Sequence, residues 1–295
     1  MIYKNILDLI GNTPIIKFED IFIKLEQFNF GCSIKDRVAL KMINGLEQEN
    51  KLKEGSTVIE VTSGNTGIAI AMICAIKRYK SIIIMLDNVS KEKINIIKAY
   101  GGNVILTPHN LGLDYSIDVA KKLEKEKGYF FLNQFENINN INAHIDTANE
   151  IINDFNKLDY LVCGIGTAGT ITGLSRELKK VYQNLKVIGV EPKENAVISN
   201  PDAKHSNHGI FGIGAGFYPP LLNSGIVDDV QSVSTEDVYN TYNELSKKGL
   251  LLGLSSVASF IVSKKIKQDN PNSIILMISP DNGIKYLSNV TDTNA

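Results

Sequence analysis

The sequence lacks a long hydrophobic run. Its longest apolar stretch, Ile68 to Ile76, is far too short to cross a bilayer. The first residues, Met1 to Pro14, contain no apolar core of the kind that a signal peptide needs. Both absences argue against membrane insertion and secretion, and we therefore expect a cytoplasmic protein.

The sequence also lacks paired cysteines and paired metal ligands. Its three cysteines show no Cys-x-x-Cys spacing, and its four histidines show no zinc-type pairing with them. His205 and His208 stand three residues apart in a loop rich in serine and asparagine, and we expect neither to bind a metal. We therefore predict no disulfide and no metal site. The residues concerned are Cys32, Cys74, Cys163, His109, His144, His205 and His208.

An excess of charge of one sign is missing as well. The 31 Lys and Arg residues nearly balance the 32 Asp and Glu residues, and no run of lysines is interleaved with aromatic residues. Nucleic acid is therefore not expected as a partner, and the substrate should be a small molecule. With 295 residues, 43% of them hydrophobic, the chain is long enough to bury two separate cores.

Short runs rich in β-branched residues alternate with helical patterns along most of the chain. This alternation predicts parallel sheets with helices on both faces. We therefore expect an α/β fold of two doubly wound, mainly parallel-sheet lobes, with the ligand in the cleft between them. The expected division is a smaller, mobile lobe over 35–145 and a larger lobe formed by 13–34 and 146–295, with the boundary near Ile145.

The expected strands are Ile15–Phe18, Ile21–Leu25, Thr57–Val61, Ser81–Leu86, Asn103–Thr107, Tyr129–Leu132, Tyr160–Gly164, Lys186–Glu191, Asp229–Ser234 and Ser273–Ile278. The expected helices are Lys35–Gln48, Thr66–Tyr79, Ser90–Tyr100, Asp114–Lys127, a helix ending near Phe155, Thr170–Val181, Thr235–Lys248 and Val257–Gln268. A polar segment dense in asparagine, Asn133–Asn142, separates the two series, and we expect a frayed tail over Val290–Ala295.

One lysine stands where a helix is expected to begin. Ser33 and Asp36 have the spacing of a capping pair, which places Lys35 in the first turn. The exposed N–H groups of a first turn carry roughly half a positive charge, so this position favours a neutral amine. A neutral lysine amine can form a Schiff base with a carbonyl cofactor. The alternative is a surface lysine, and other segments must decide between them.

Polar residues follow the expected strand that ends at Val61. Thr62-Ser63-Gly64-Asn65-Thr66-Gly67 places hydroxyl, amide and backbone N–H groups at the start of a helix. Such a convergence binds anions and is suited to a carboxylate. The alternative is an ordinary strand-to-helix turn that is capped by a threonine.

A second loop of this kind follows Cys163. Gly164-Ile165-Gly166-Thr167-Ala168-Gly169-Thr170 lies between a strand and a helix, where N–H groups and threonine hydroxyls can hold a phosphate. The loop also matches Gly-x-Gly-x-x-Gly, and Glu191 ends the next strand, as in nicotinamide dinucleotide sites. An NAD-dependent dehydrogenase is therefore an alternative, although it leaves Lys35 and the loop after Val61 without a role.

Three further loops could reach a ligand. Gly212-Ile213-Gly214-Ala215-Gly216-Phe217 is typical of backbone that lies close to a ligand, because it is unusually rich in glycine. Ser255-Ser256 and Pro280-Asp281-Asn282-Gly283 could also extend towards it, or serve only as turns.

Taken in order, these motifs, together with Gln134-Phe135, resemble those of the cysteine synthase (O-acetylserine sulfhydrylase) and cystathionine β-synthase family. The likeness covers nearly the whole chain. The family comprises pyridoxal phosphate enzymes of the tryptophan synthase β type, which is fold type II.

The resemblance implies a role for each matching residue. Lys35 would form the Schiff base with pyridoxal 5'-phosphate, and Asn65 would contact the ring hydroxyl. Asn282 would meet the pyridine nitrogen. The residues implied around the phosphate are Gly166, Thr167, Ala168, Gly169 and Thr170. The residues implied around the substrate are Thr62, Ser63, Asn65, Thr66, Gln134 and Gly214.

The resemblance also implies a reaction, namely β-replacement on a three-carbon amino acid through an α-aminoacrylate. Lys35 would act as base and then as acid, and the carboxylate loop would close over the substrate and exclude water. Formation of cysteine from O-acetylserine and sulfide is the first hypothesis. The family is commonly homodimeric, and the C-terminus of a serine acetyltransferase is a possible partner. A regulator that binds the cofactor without turnover is a further alternative.

Several residues depart from the family pattern. Phe30 and Cys32 replace a proline and a glycine before the lysine, and Val61 replaces a proline before the carboxylate loop. Val257 and Ala168 replace glycines, and Asn282 replaces a serine. These departures motivate a second hypothesis, in which cysteine is the donor and hydrogen sulfide is released. Its other product would be lanthionine, cystathionine or serine.

Overall fold

The chain divides into two compact units. The structure, a computed structural model, describes residues 2–202, 206–222, 225–287 and 290. The first unit comprises Met1–Ile10 and Lys35–Ala143, and the second comprises Gly11–Ile34 and His144–Ala295. His205 and the expected tail beyond Val290 lie outside the described residues.

In the described part of the chain, the strands are β1 Ile15–Phe18, β2 Ile21–Leu25, β3 Thr57–Val61, β4 Lys80–Leu86, β5 Asn103–Thr107, β6 Phe130–Phe131, β7 Tyr160–Gly164, β8 Lys186–Pro192, β9 Asp229–Val233 and β10 Ile275–Ser279. The helices are α1 Lys35–Gln48, α2 Asn65–Lys77, α3 Lys91–Ala99, α4 Gly112–Lys127, α5 Ile138–Asn142, α6 His144–Asp154, α7 Gly169–Val181, α8 Thr235–Lys247 and α9 Leu254–Asp269.

The first unit is built on a parallel sheet with the strand order β5-β4-β3-β6. Successive side chains of a strand point to opposite faces, and β3 shows this directly. Val58 packs in a cluster with residues of α1, α2 and α3, whereas Ile59 and Val61 pack with Ala120 of α4. Helices therefore cover both faces of this sheet.

The second unit is built on a sheet with the strand order β1-β2-β10-β7-β8-β9. The β1 and β2 pair is antiparallel, and the remaining neighbours are parallel. Its main hydrophobic cluster joins strand residues such as Ile23, Val162 and Met277 to Phe260 of α9 and Val238 of α8. The two sheets confirm the predicted α/β fold class.

The structure differs from the sequence-based prediction at several element bounds, most clearly in the asparagine-rich segment and at the start of α9. The asparagine-rich segment contains the short helix α5, which Asn137 caps by accepting a hydrogen bond from Asn139 N at 3.0 Å. Helix α9 begins at Leu254, three residues before the expected start at Val257. An extended Gly253 precedes it, and Ser255 and Ser256 are buried in its first turn.

Among the described residues, no helix is both long and apolar enough to cross a membrane. All three cysteines are free thiols; Cys74 and Cys163 are buried and Cys32 is exposed. Within the same described ranges, no group of three or more His, Cys, Asp or Glu side chains is arranged to hold a metal ion.

An ion pair between a buried lysine and a half-buried glutamate anchors β2 within the second unit. The Lys24 side chain is only 1% exposed, and its Nζ lies 2.7 Å from Glu150 Oε2 of α6. The same ammonium group donates to the Thr13 carbonyl at 2.6 Å. Burying an ammonium group costs free energy unless the group is paired, and Glu150 and Thr13 offset this desolvation cost for Lys24.

We expect Lys24→Met to lower the free energy of unfolding by about 3 kcal/mol, because it leaves the Glu150 carboxylate without its cation. Lys17→Met is the matched control. Lys17 pairs with Asp20 on the surface, where the side chains are 56% and 67% exposed, and its loss should cost no more than about 1 kcal/mol. Urea unfolding measures both values, and equal losses would contradict the assignment.

Candidate active site

Lys35 is the first residue of α1. Its side chain is half-buried, and its backbone lies at the positive end of the helix dipole. Ser33, the expected cap, forms an isolated β-bridge with Asp281, and Ile34 N donates to the Pro280 carbonyl at 2.8 Å. Backbone pairing to the segment that follows β10 therefore holds the chain immediately before the lysine.

The loop after β3 turns into α2 through its own polar groups. Thr62 N donates to the Ile84 carbonyl at 3.0 Å, and the Thr62 hydroxyl oxygen accepts from Gly64 N at 3.1 Å. Thr66 is buried, Asn65 is half-buried and Ser63 is exposed. The N–H groups of the first turn of a helix have no acceptor within that helix, so the loop presents donors at the start of α2.

A hydrogen-bonded network ties this loop to Gln134. The Thr66 hydroxyl donates to Gln134 Oε1 at 2.9 Å, and Gln134 Nε2 donates to the Val61 carbonyl at 2.9 Å. Asn140 Nδ2 donates to the Gln134 carbonyl at 2.7 Å. The structure thus joins two residues that are 68 positions apart and that the family resemblance assigns to the substrate.

Glu60 lies beneath this network, and the sequence analysis gave it no role. It is 1% exposed, its Oε1 accepts from Val61 N at 2.8 Å, and its Oε2 accepts from Gln134 N at 3.2 Å. Burial raises the pKa of this carboxyl from its ordinary value of 4.5 to about 8. The two backbone hydrogen bonds and the positive charge of Lys35 act in the opposite direction. The sequence did contain one signal for Glu60, since it is the charged residue of a strand that is otherwise apolar or uncharged.

The loop after β7 leads directly into α7. Ala168 stands at the N-cap with φ 67°, and Thr172 N donates to the Ala168 carbonyl at 3.0 Å. The N–H groups before Thr172 therefore precede the first intrahelical hydrogen bond. Thr167 is buried and Thr170 is half-buried beside these N–H groups, so the donor set suits a phosphate.

The glycine-rich segment at 212–216 packs closely on this loop. Gly214 N donates to the Ile165 carbonyl at 3.0 Å, and a methyl group on Gly166 would lie 2.5 Å from the Gly212 carbonyl oxygen. Gly214 itself has φ 69°, and a methyl group there would lie 2.6 Å from Pro192 Cγ. Glycine is therefore required at Gly166 by the close approach of a backbone carbonyl, and at Gly214 by a left-handed backbone and by contact with the Pro192 ring.

Buried His144 orients one hydroxyl of the loop. Its Nε2 lies 3.1 Å from Thr170 Oγ1, and its Nδ1 lies 3.4 Å from Thr147 Oγ1. The sequence treated His144 only as one of four unpaired histidines. The packing of α6 on α7 brings its ring to the Thr170 hydroxyl, a contact that the sequence did not predict.

Two candidate partners for a ring nitrogen lie elsewhere in the second unit. Asn282 Oδ1 accepts from Ile284 N at 3.2 Å, which caps a short 3-10 helix. Ser255 is buried, and a methyl group on Gly212 would lie 3.8 Å from its Oγ. The Ser255 hydroxyl therefore lies beside the loops that pack around Gly166, whereas the carbonyl oxygen of Asn282 is engaged in a cap.

The fold and these loops define an α/β protein of two units, each of which presents donors for an anion at a helix start that follows a strand. The model of the family described as "Pyridoxal-phosphate dependent enzyme" matches residues 6–281. The chain is 40% identical over 294 residues to cysteine synthase B of Campylobacter jejuni, covering 97% of this chain and 98% of the relative.

Solved structures agree with this match. O-ureido-L-serine synthase superposes with a TM-score of 0.95 at 34% identity, covering 100% of this chain and 97% of the other. A hydrogen sulfide-producing enzyme from Fusobacterium nucleatum superposes with a TM-score of 0.92 at 40% identity, covering 97% of this chain and 100% of the other. The chain belongs to the pyridoxal phosphate-dependent enzymes of the cysteine synthase family.

Family membership confirms the predicted cofactor and shows that the NAD-dependent alternative was wrong. Both oxygens of Glu191, the acidic residue of that alternative, accept backbone hydrogen bonds, from Ile198 N at 3.0 Å and Ser199 N at 2.9 Å. The residues present fit pyridoxal phosphate, since the start of α7 supplies phosphate donors and Lys35 supplies a primary amine. The individual cofactor and substrate contacts remain predictions.

We expect Gly166→Ala to weaken cofactor binding at least tenfold, because the added methyl group would displace the Gly212 carbonyl and the loop with it. Ala168→Gly is the contrasting change. Ala168 has a left-handed backbone, which costs about 1 kcal/mol for a residue with a side chain. Glycine removes this cost, so the variant should have an equal or higher affinity for the cofactor. Fluorescence titration of the apoprotein with pyridoxal phosphate measures both, and equal affinities would contradict the packing argument.

Glu60 should make stability depend on pH. Between pH 4.5 and about 8, the folded protein holds a proton on Glu60 and the unfolded chain does not. The free energy of unfolding contributed by this group therefore falls as pH rises, by about 1.4 kcal/mol per pH unit. We expect the unfolding free energy of the apoprotein, measured with urea from pH 6 to 8, to fall more steeply with pH in the parent than in Glu60→Gln, by this amount. Parallel slopes would contradict the raised pKa.

Proposed function

We propose that this enzyme catalyses β-replacement on a three-carbon amino acid, with O-acetylserine as donor and sulfide as nucleophile, to give cysteine. The network of Thr66, Gln134 and Val61 at the start of α2 carries this proposal. It orients hydroxyl and amide groups beside the loop that the family resemblance assigns to the substrate carboxylate. The cysteine synthase relatives favour the same substrate class.

Each unit contributes a distinct set of groups to the proposed reaction. In the first unit, Thr62, Ser63, Asn65 and Thr66 bind and orient the substrate together with Gln134. In the second unit, Gly166, Thr167, Ala168, Gly169 and Thr170 hold the phosphate, and His144 keeps the Thr170 hydroxyl in place. Asn282 or Ser255 would meet the ring nitrogen, and Gly214 would lie near the substrate.

Lys35 moves the proton in the proposed reaction. Its Nζ takes the proton from the substrate Cα as general base and later returns it as general acid. Pyridoxal phosphate, when bound, supplies the electron sink that makes this proton acidic. Closure of the 62–66 loop over the substrate would exclude water, which would otherwise compete with sulfide for the β-carbon.

A second reaction is favoured by residues near Lys35. Cys32 and Phe30 replace family residues there, and Cys32 is exposed with φ 60°. One similar structure is of a hydrogen sulfide-producing enzyme. We therefore also propose cysteine as a donor, with the β-carbon–sulfur bond broken and hydrogen sulfide released. The β-carbon then bonds to the thiol of a second cysteine to give lanthionine, to the thiol of homocysteine to give cystathionine, or to water to give serine.

Two assembly states follow as proposals from the family resemblance. A homodimer is the first. Binding of the C-terminus of a serine acetyltransferase is the second, because its terminal carboxylate would meet the same anion-binding loop as the substrate.

The Lys35→Ala variant tests the cofactor attachment. We expect borohydride reduction followed by peptide mapping to label residue 35 in the parent protein and no residue in the variant, with turnover reduced at least a thousandfold, because the catalytic base is removed. Lys41→Ala, on the same helix, is the control and should retain label and activity. A labelled lysine other than 35 would overturn the proposal.

The donor is then identified with the parent enzyme. We expect turnover with O-acetylserine and sulfide to exceed that with serine or phosphoserine. Incubation with cysteine alone, followed by assay of sulfide and mass spectrometry of the amino acids, tests the second reaction. Absence of both sulfide and thioether would exclude it.

A further inference from the structure

Glu60 occupies an unusual position for a carboxyl group. The alternation of β3 puts Glu60 on the same face as Val58, and that face is covered by α1 and α2. Lys35 is the first residue of α1, and its charge acts on Glu60. A buried carboxyl without a close ion pair is costly to ionise, so its presence on this face calls for a specific role.

Hydrogen bonds connect Glu60 to the candidate carboxylate site through Gln134. One oxygen accepts from Val61 N, and the other accepts from Gln134 N. Gln134 in turn binds the Val61 carbonyl and the Thr66 hydroxyl through its side chain. Glu60 therefore holds the backbone of the residue whose side chain aligns the loop.

Because Glu60 lies beneath the candidate carboxylate site, its charge would affect the binding of a substrate. An ionised Glu60 beneath the loop would repel a substrate carboxylate, and the low-dielectric surroundings would screen this repulsion poorly. It would also favour the protonated form of Lys35, whereas a neutral amine is needed to act as base. A protonated Glu60 avoids both effects, and both of its oxygens keep lone pairs that can accept from Val61 N and Gln134 N.

We propose that Glu60 is a positioning residue of the carboxylate site, which acts through Gln134 and Thr66, and that the site accepts an anionic substrate only while Glu60 is protonated. The inference rests on the proposed function, since it assigns the substrate carboxylate to this loop. In the described part of the unit, Lys35 is the charged side chain that acts on Glu60. The other groups that contact its carboxyl oxygens are the backbone amides of Val61 in β3 and of Gln134 after β6.

Glu60→Gln tests the proposal because a glutamine has nearly the same shape and cannot ionise. Its amide nitrogen cannot accept from Gln134 N, so the KM for the amino acid donor at pH 7 should rise roughly fivefold, the effect of one hydrogen bond. In the parent enzyme, the KM should rise about tenfold per pH unit above the ionisation of Glu60. This alkaline rise should be absent from the variant.

Glu191→Gln is the matched control. Glu191 is also fully buried and also accepts from two backbone N–H groups, but it lies in the second unit at the end of β8. Its variant should keep the alkaline rise of the parent, which separates Glu60 from ionisation of the substrate and of Lys35. A binding measurement without turnover, calorimetric titration of the holoenzyme with L-alanine, should show the same difference.

Two failures can be told apart. Borohydride labelling of the parent enzyme at a residue other than Lys35 would overturn the proposed function. If Lys35 is labelled and O-acetylserine is converted, while Glu60→Gln keeps the same alkaline rise in KM and in L-alanine dissociation as the parent, the inference about Glu60 is wrong. A Glu60→Gln variant that fails to fold is replaced by Glu60→Met, which also cannot ionise. It should likewise lack the alkaline rise in KM, and a rise equal to that of the parent would contradict the inference.

Discussion

The N–H groups at the start of a helix have no acceptor within that helix, and this constraint organises both units. In each unit, a buried parallel strand ends and a helix begins within a few residues, at Thr62–Thr66 after β3 and at Ile165–Ala168 after β7. The donors cannot be left without acceptors, so side-chain hydroxyls, water or a bound anion must accept from them. An enzyme that needs both a carboxylate and a phosphate site can therefore use the same local structure twice.

Close packing then determines which groups reach each anion site. Gly166 and Gly214 allow the 212–216 segment to lie against the proposed phosphate loop, with a hydrogen bond from Gly214 N to the Ile165 carbonyl. His144 holds Thr170 from the neighbouring helix. In the first unit, Gln134 plays the corresponding part by bridging Val61 and Thr66. Each anion site is thus supported by a segment distant in sequence.

Three glutamates, of which Glu60 and Glu191 are buried and Glu150 is half-buried, show how the surroundings of a carboxyl group decide its chemistry. Glu150 lies 2.7 Å from the Lys24 ammonium group, so it is paired as an ion. Glu191 accepts from the Ile198 and Ser199 amides and serves to hold the chain after β8. Glu60 has a similar pair of amide donors, but the charge of Lys35 acts on it and it lies beneath the proposed substrate loop. The same side chain therefore has a structural role at two positions and a proposed functional role at the third.

The sequence by itself determined the fold class and most of the regular elements, because strands and helices with buried faces have characteristic periods. β1, β2, β3, β5, β7 and α1 have the bounds that their apolar patterns predicted. Order and spacing of the motifs also determined the family, since the cofactor sites are local loops. Only the tertiary structure placed Glu60 at Gln134 N, His144 at the Thr170 hydroxyl and Ser255 beside Gly212. Each of these contacts joins residues that are far apart in the chain, and a local pattern contains no information about which distant group will lie close to a side chain.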